Sequence, residues 1–181
     1  DAGNELTRLA EGLNIPVVTS LNGKDTFLST HPLSAGVVGS YSRASANRVM
    51  GEAELVCFIG SKTGGMTTHF WQVPSPGIDA IQIDIEPAEI GRNYPLKAAA
   101  QGDAKTILSA MVEMMDTDTA TLRTGWTART QQIAAEWQTE YEPLLTSNAV
   151  PIRPERICRD LTEALPSNSF VVVDTGHAGM W

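Results

Sequence analysis

The run Leu55-Val56-Cys57-Phe58-Ile59 is apolar without a break and stops at Gly60. A strand with one face in water alternates polar and apolar residues. Five successive apolar residues instead suit a strand buried on both faces, the habit of a parallel sheet covered by helices on either side. The segments around it agree, because helical and strand-like patterns alternate along the chain. Leu6, Leu9, Ala10 and Leu13 share one helical face, and Pro16 to Ser20 follows as a strand. A long loop rich in Gly, Ser and His covers Leu21 to Ser42. The spacing then predicts a helix over Arg43–Ala53, with Ala46, Val49, Met50 and Ala53 inward. After a loop carrying Pro74, Pro76 and Gly77, Ala80 to Ile85 reads as a further strand. Pro87 opens a short helical turn flanked by Glu86 and Glu89. Asp103 is the expected cap of a helix whose core face is Ile107, Leu108, Met111, Val112 and Met115.

Asp116 to Thr119 is expected to close this first unit. A polar helix over Thr121–Leu145, bearing Trp126, Ile133 and Trp137, leads to a linker at Ser147–Pro151. Pro154 then starts a helix with Ile157, Leu161 and Leu165, which Pro166 stops. Phe170 to Asp174 is a strand-like run, and Thr175 to Gly179 a turn after it. The expected fold is α/β, a Rossmann-like parallel sheet with helices on both faces. It occupies residues 1–118, with a helix and linker over 119–151. The first helix and strand of a second α/β domain follow over 152–181. The chain opens inside a helical pattern and stops just after a strand and a turn, which reads as a piece of a longer protein.

A formal charge of -8 with no local Lys/Arg cluster argues against nucleic-acid binding. Cys57 and Cys158 each sit in an apolar pattern, expected of buried thiols in a reducing compartment. No apolar run is long enough to span a bilayer, and a cytoplasmic protein is the expectation.

In open parallel sheets, ligands sit beyond the carboxyl ends of the strands, and four segments fall in that zone. Gly36-Val37-Val38-Gly39 either lets backbone approach a ligand or simply turns the chain. Gly60-Ser61-Lys62-Thr63 offers a cation to a phosphate, or is a plain connection; the glycine spacing of a P-loop is absent. Asp84 can accept from ribose hydroxyls or cap the turn at Pro87. His177, after Gly176, can donate to a phosphate or sit idle on the surface. His31 and His69 have no second His or Cys at metal-ligand spacing, so no metal site is expected. The nucleophile elbow and the dinucleotide glycine fingerprint are both missing, which removes the obvious hydrolase and nicotinamide-dependent readings.

Several strings, taken in order, resemble the acetolactate synthase-like superfamily of thiamine diphosphate enzymes. They are Ile15 to Ser20, Gly23-Lys24-Asp25, His31 to Ser34, Gly36 to Gly39, Ala46-Asn47, Ala53 to Val56, and Gly60-Ser61-Lys62 with lysine in the place of an arginine. The most specific is Ile81 to Asn93, completed by Gly102-Asp103, and Val173 to Trp181 resembles the entry to a diphosphate-binding domain.

The resemblance implies a central domain lacking its first strand, and an enzyme that makes a carbanion from a 2-keto acid as decarboxylase or carboligase. It implies thiamine diphosphate, met here by Gly176, His177 and Ala178, and Mg²⁺ held by residues outside this chain. The glutamate that activates the thiamine ring also belongs elsewhere, so no catalytic residue is expected within these 181 and the piece alone is expected to be inactive. Relatives bind FAD or ADP through segments matching Gly36 to Gly39, Gly60 to Thr63, and Asp84, while some have lost the nucleotide. Lysine at position 62 is a point cation without the planar fork that arginine offers phosphate. The expected partners are a 2-keto acid, the remaining domains of the same protein, and identical subunits in a dimer or tetramer. The competing reading is a nucleotide-binding structural or regulatory module without catalysis.

Overall fold

The computed structural model describes residues 2–174 and 176, which form two compact units divided after Ala134. His177 and Ala178 lie outside the described residues.

In the first unit, helix α1 (Gly3–Leu13) is followed by strand β1 (Val17–Thr19) and strand β2 (Ser34–Val37). Helix α2 (Ala44–Glu52), strand β3 (Leu55–Ile59), strand β4 (Asp79–Asp84), strand β5 (Leu96–Gln101) and helix α3 (Ala104–Met114) complete the alternation. All the pairings are parallel, in two sheets ordered β1-β2 and β3-β4-β5. Helices cover both faces, as expected. On one face Ala46 and Met50 of α2 pack with Val56, Phe58 and Ala80. On the other, Leu9 of α1 and Leu108 and Val112 of α3 pack with Ile83. Fully burying a side chain such as Leu108, which is 0% exposed, contributes about 1.5–3 kcal/mol. The Asp103 carboxylate accepts from Thr106 N–H at 2.9 Å and caps α3 as its sequence predicts.

Two expectations for this unit are corrected, and one strand is added. The segment Leu21–Ser42 is not all loop, because Ser34–Val37 pairs with β1 as β2. Strand β5 carries no β-branched residue and escapes a propensity reading; it forms by pairing along β4. Strand β3 is not buried on both faces, since Leu55 is 53% exposed and Cys57 is exposed. Both lie at an edge of the three-stranded sheet, which no further strand covers among the described residues.

The first unit continues past residue 118. A 3₁₀ stretch over Thr117–Arg123 runs into helix α4 (Thr124–Leu145). Arg123 donates to the Leu13 carbonyl at 3.2 Å, Thr127 donates to the Asn14 carbonyl at 3.2 Å, and Ile133 is buried with Ala35 and Val49.

The second unit holds the end of α4 and helix α5 (Pro154–Ala164), with Pro154 in its first turn. Arg156 and Arg159 reach Asp160 and Glu163 one turn on, each at 2.7 Å. The expected core stripe of α5 is uncovered instead: Ile157, Leu161 and Leu165 are 41%, 43% and 38% exposed. The expected strand at Phe170–Asp174 does not form, although the run is apolar. A strand needs a neighbour for its backbone groups, and no described segment pairs with this one. Cys158 is half-buried, not enclosed as expected.

Candidate anion-binding loops at the strand ends

Strand β3 ends at Gly60, whose φ of +59° turns the chain out of the sheet while its N–H donates to the Ile83 carbonyl at 2.8 Å. A Cβ built on Gly60 would meet no atom within 4 Å, so the space above it is open. Ser61 and Lys62 follow on the surface, and the Lys62 ammonium makes no ion pair among the described residues. Thr63 turns back into the protein, 2% exposed and left-handed at φ +49°. Its carbonyl accepts from Trp71 Nε1 and from Asn93 Nδ2, both at 3.2 Å, and its hydroxyl accepts from the same Asn93 amide at 2.9 Å.

Gln82, inside β4 and 2% exposed, ties this loop to the next. Its Nε2 donates to the carbonyls of Ser61 at 3.2 Å and Glu89 at 3.0 Å, and its Oε1 accepts from Gly91 N–H at 2.9 Å. Sequence reasoning passed over both Gln82 and Asn93. For Gln82 the available signal was a lone amide among apolar strand residues, since such a group when buried must find partners; Asn93, exposed in a turn, offered none.

The other expected contacts sit at the same end of the strands but are already engaged by protein. Gly36 lies within β2, and a Cβ there would meet the Arg43 side chain at 3.1 Å. Val37 ends the strand and Val38 is buried in the core. Gly39 is closed off, because a Cβ on it would stand 2.2 Å from the Met66 carbonyl. Asp84 is 7% exposed and its carboxylate accepts from Glu86 N–H at 3.0 Å, while Glu86 caps the Pro87 turn by accepting from Ala88 N–H at 3.3 Å. Glu89 is buried, and each oxygen of its carboxylate accepts from one Arg92 nitrogen at 3.1 Å. Tyr94 donates to the Pro74 carbonyl at 3.3 Å, and burial pushes its phenol above the ordinary value. In the second unit Gly176 has φ +121° with no atom near the place of a Cβ.

This arrangement can receive an anion over Gly60 and beside Lys62. Among the described residues no His, Cys, Asp and Glu side chains gather to hold a metal ion, and no helix is long and apolar enough to cross a membrane.

Comparison with known proteins agrees with the fold. The family described as "Thiamine pyrophosphate enzyme, central domain" matches residues 1–111, more than half of the chain. The probable acetolactate synthase large subunit of Methanocaldococcus jannaschii is 32% identical over 99% of this chain and 31% of its own length. That of Methanococcus aeolicus is 29% identical over 99% of the chain and 32% of its own length. Acetolactate synthase isozyme 3 large subunit of Escherichia coli is 26% identical over 98% and 31%. The chain therefore spans about a third of the length of these relatives, and over the matched residues it belongs to the family of thiamine pyrophosphate enzymes, as their central domain.

Proposed function

We propose that this chain is part of an acetolactate synthase-like enzyme that uses thiamine diphosphate to decarboxylate a 2-keto acid or join it to a second carbonyl compound. The alignment of acetolactate synthase large subunits along 99% of the chain, beyond the central domain alone, carries this reading. Thiamine diphosphate supplies the electron sink. Gly176, His177 and Ala178 would meet its diphosphate, while Mg²⁺ ligands and the ring-activating glutamate would come from other segments. The piece alone would be inactive. The intact protein would be a cytoplasmic homodimer or homotetramer.

Residues 1–118 would be a central domain lacking its first strand, residues 119–151 a helix and linker, and residues 152–181 the opening of the diphosphate-binding domain. The separate sheets support the missing strand. Strands β1 and β3 each keep an edge without a partner among the described residues. Helices α1 and α2 nevertheless pack against residues of both sheets. Within the central domain we assign Gly36 to Gly39, Gly60 to Thr63 and Asp84 to an FAD- or ADP-type site. Gly60 and Lys62 fit a diphosphate best, being open and uncompensated, whereas Gly39 and Asp84 would act through the loops they shape.

The test uses the gene product containing this chain, stripped of cofactor and titrated with thiamine diphosphate and Mg²⁺. Saturable binding that switches on carbon dioxide release from pyruvate is the expected result. No binding would remove the enzyme reading, and binding of ADP alone would favour a nucleotide module without catalysis.

A further inference from the structure

We infer that Gln82 and Asn93 are positioning residues for the anion at Lys62: they hold the carbonyls of Ser61, Lys62 and Thr63 inward, so that the amides of Ser61 and Lys62 and the positive charge of Lys62 are left for a ligand. This rests on the reading of that loop as a nucleotide-diphosphate site.

A loop presents carbonyls as readily as amides, and a carbonyl pointed at a phosphate repels it. Here the three carbonyls that follow Gly60 are all taken. The Ser61 carbonyl accepts from Gln82 at 3.2 Å, the Lys62 carbonyl from Asn93 at 3.2 Å, and the Thr63 carbonyl from Asn93 and Trp71. Among the described residues the amides of Ser61 and Lys62 have no acceptor, and the Lys62 ammonium makes no ion pair. Successive free amides beside a cation form an anion-binding concavity. Both clamping side chains come from outside the loop, one from β4 and one from the turn before Tyr94. Gln82 is buried and grips the Glu86–Gly91 turn at the same time, which makes the two connections one body. Fixing the loop before the ligand arrives removes an ordering cost from binding, and a lysine needs this more than an arginine, whose planar fork orients itself.

The test measures ADP and inorganic pyrophosphate affinity by calorimetry on the gene product containing this chain, for the parent, Gln82→Met, Lys62→Ala and the double variant. Amide hydrogen exchange over residues 60–63 is followed in parallel. Gln82→Met should weaken both ligands at least tenfold and raise exchange in the loop while leaving exchange in α3 unchanged. In the Lys62→Ala background the same substitution should change affinity less than twofold, because its effect runs through the lysine. Asn93→Ser, at an exposed position, should reproduce the loss of affinity if Gln82→Met fails to fold. Equal affinity in parent and single variants would overturn the inference and leave the nucleotide reading intact. So would losses that multiply in the double variant, the mark of a general structural role. A parent that binds neither ligand would overturn both.

Discussion

Asn47 closes on the peptide groups of Gly39 from two sides: its Oδ1 accepts the Gly39 N–H at 2.9 Å while its Nδ2 donates to the Gly39 carbonyl at 3.0 Å. The same Nδ2 reaches Ser42 Oγ at 2.9 Å. One helical side chain therefore fixes the place where β2 leaves its sheet, and that place is packed against the loop following β3, with Ser40 N–H donating to the Met66 carbonyl at 2.8 Å. The two connections are held together from the α2 side as Gln82 holds the next pair from the β4 side.

Replacing Asn47 by Ala strands both groups of Gly39 in a partly buried setting, where a lost partner costs about 1–3 kcal/mol. Urea denaturation should show that loss as a lowered midpoint with an unchanged slope. Asn47→Asp keeps the acceptor and forfeits the donor, so it should fall between the parent and Asn47→Ala. Equal stability of all three proteins would mean that water replaces the amide.

Two glycines at strand ends should behave differently. Gly39 has φ +114° and no room, whereas Gly60 has φ +59° and open space. Gly60→Ala should cost about 1–2 kcal/mol, the ordinary penalty of a left-handed residue. Gly39→Ala must in addition push the Met66 backbone away, and should destabilise by more than Gly60→Ala in the same denaturation assay. The reverse order would show that the loop carrying Met66 yields freely.

Periodicity was enough to find the helices of the first unit, because each buries a face that repeats in the sequence, while strands β3 and β4 stood out as short apolar runs between turns. Its failures have physical causes. The composition of β5, Leu96-Lys97-Ala98-Ala99-Ala100-Gln101, contains strong helix formers, and only pairing with β4 makes it a strand. Strand β2 is interrupted by Gly36, and its pattern is too short to alternate visibly. Phe170–Val173 fails in the opposite sense, with strand propensity and no neighbour to pair with. The zone of the candidate site was legible from glycines after strands. The hydrogen bonds that decide which backbone groups face outward were not, since Gln82 and Asn93 act across 20 or more residues on Ser61 and Thr63.

Where the first unit stops is testable at Ile133, which is 0% exposed among Ala35 and Val49. A large-to-small change at such a site costs about 2–5 kcal/mol. Ile133→Ala should lower the melting temperature and increase hydrogen exchange in α2 and β2. If residues after 118 formed only a linker, the substitution would leave both unchanged.

Cys57 provides a pH test. The residue lies on the open face of β3, yet the protein around its sulfur desolvates the thiolate and pushes the thiol up to about 11. Exposure alone would predict ready alkylation; desolvation predicts a scarcity of thiolate, the reactive form. The rate of iodoacetamide labelling at Cys57, followed by peptide mass spectrometry, should rise about tenfold per pH unit from 8 to 10, because thiolate remains the minor form over that range. An unfolded chain loses the same proton near its ordinary value, about 8.5. Between that value and 11 the folded state binds more protons than the unfolded one, so stability should decline as pH rises through this window. Cys57→Ser removes the easily ionised thiol and should flatten that decline. A labelling rate that levels off below pH 9 would show that solvent reaches the sulfur fully and that the open face of β3 does not shelter it.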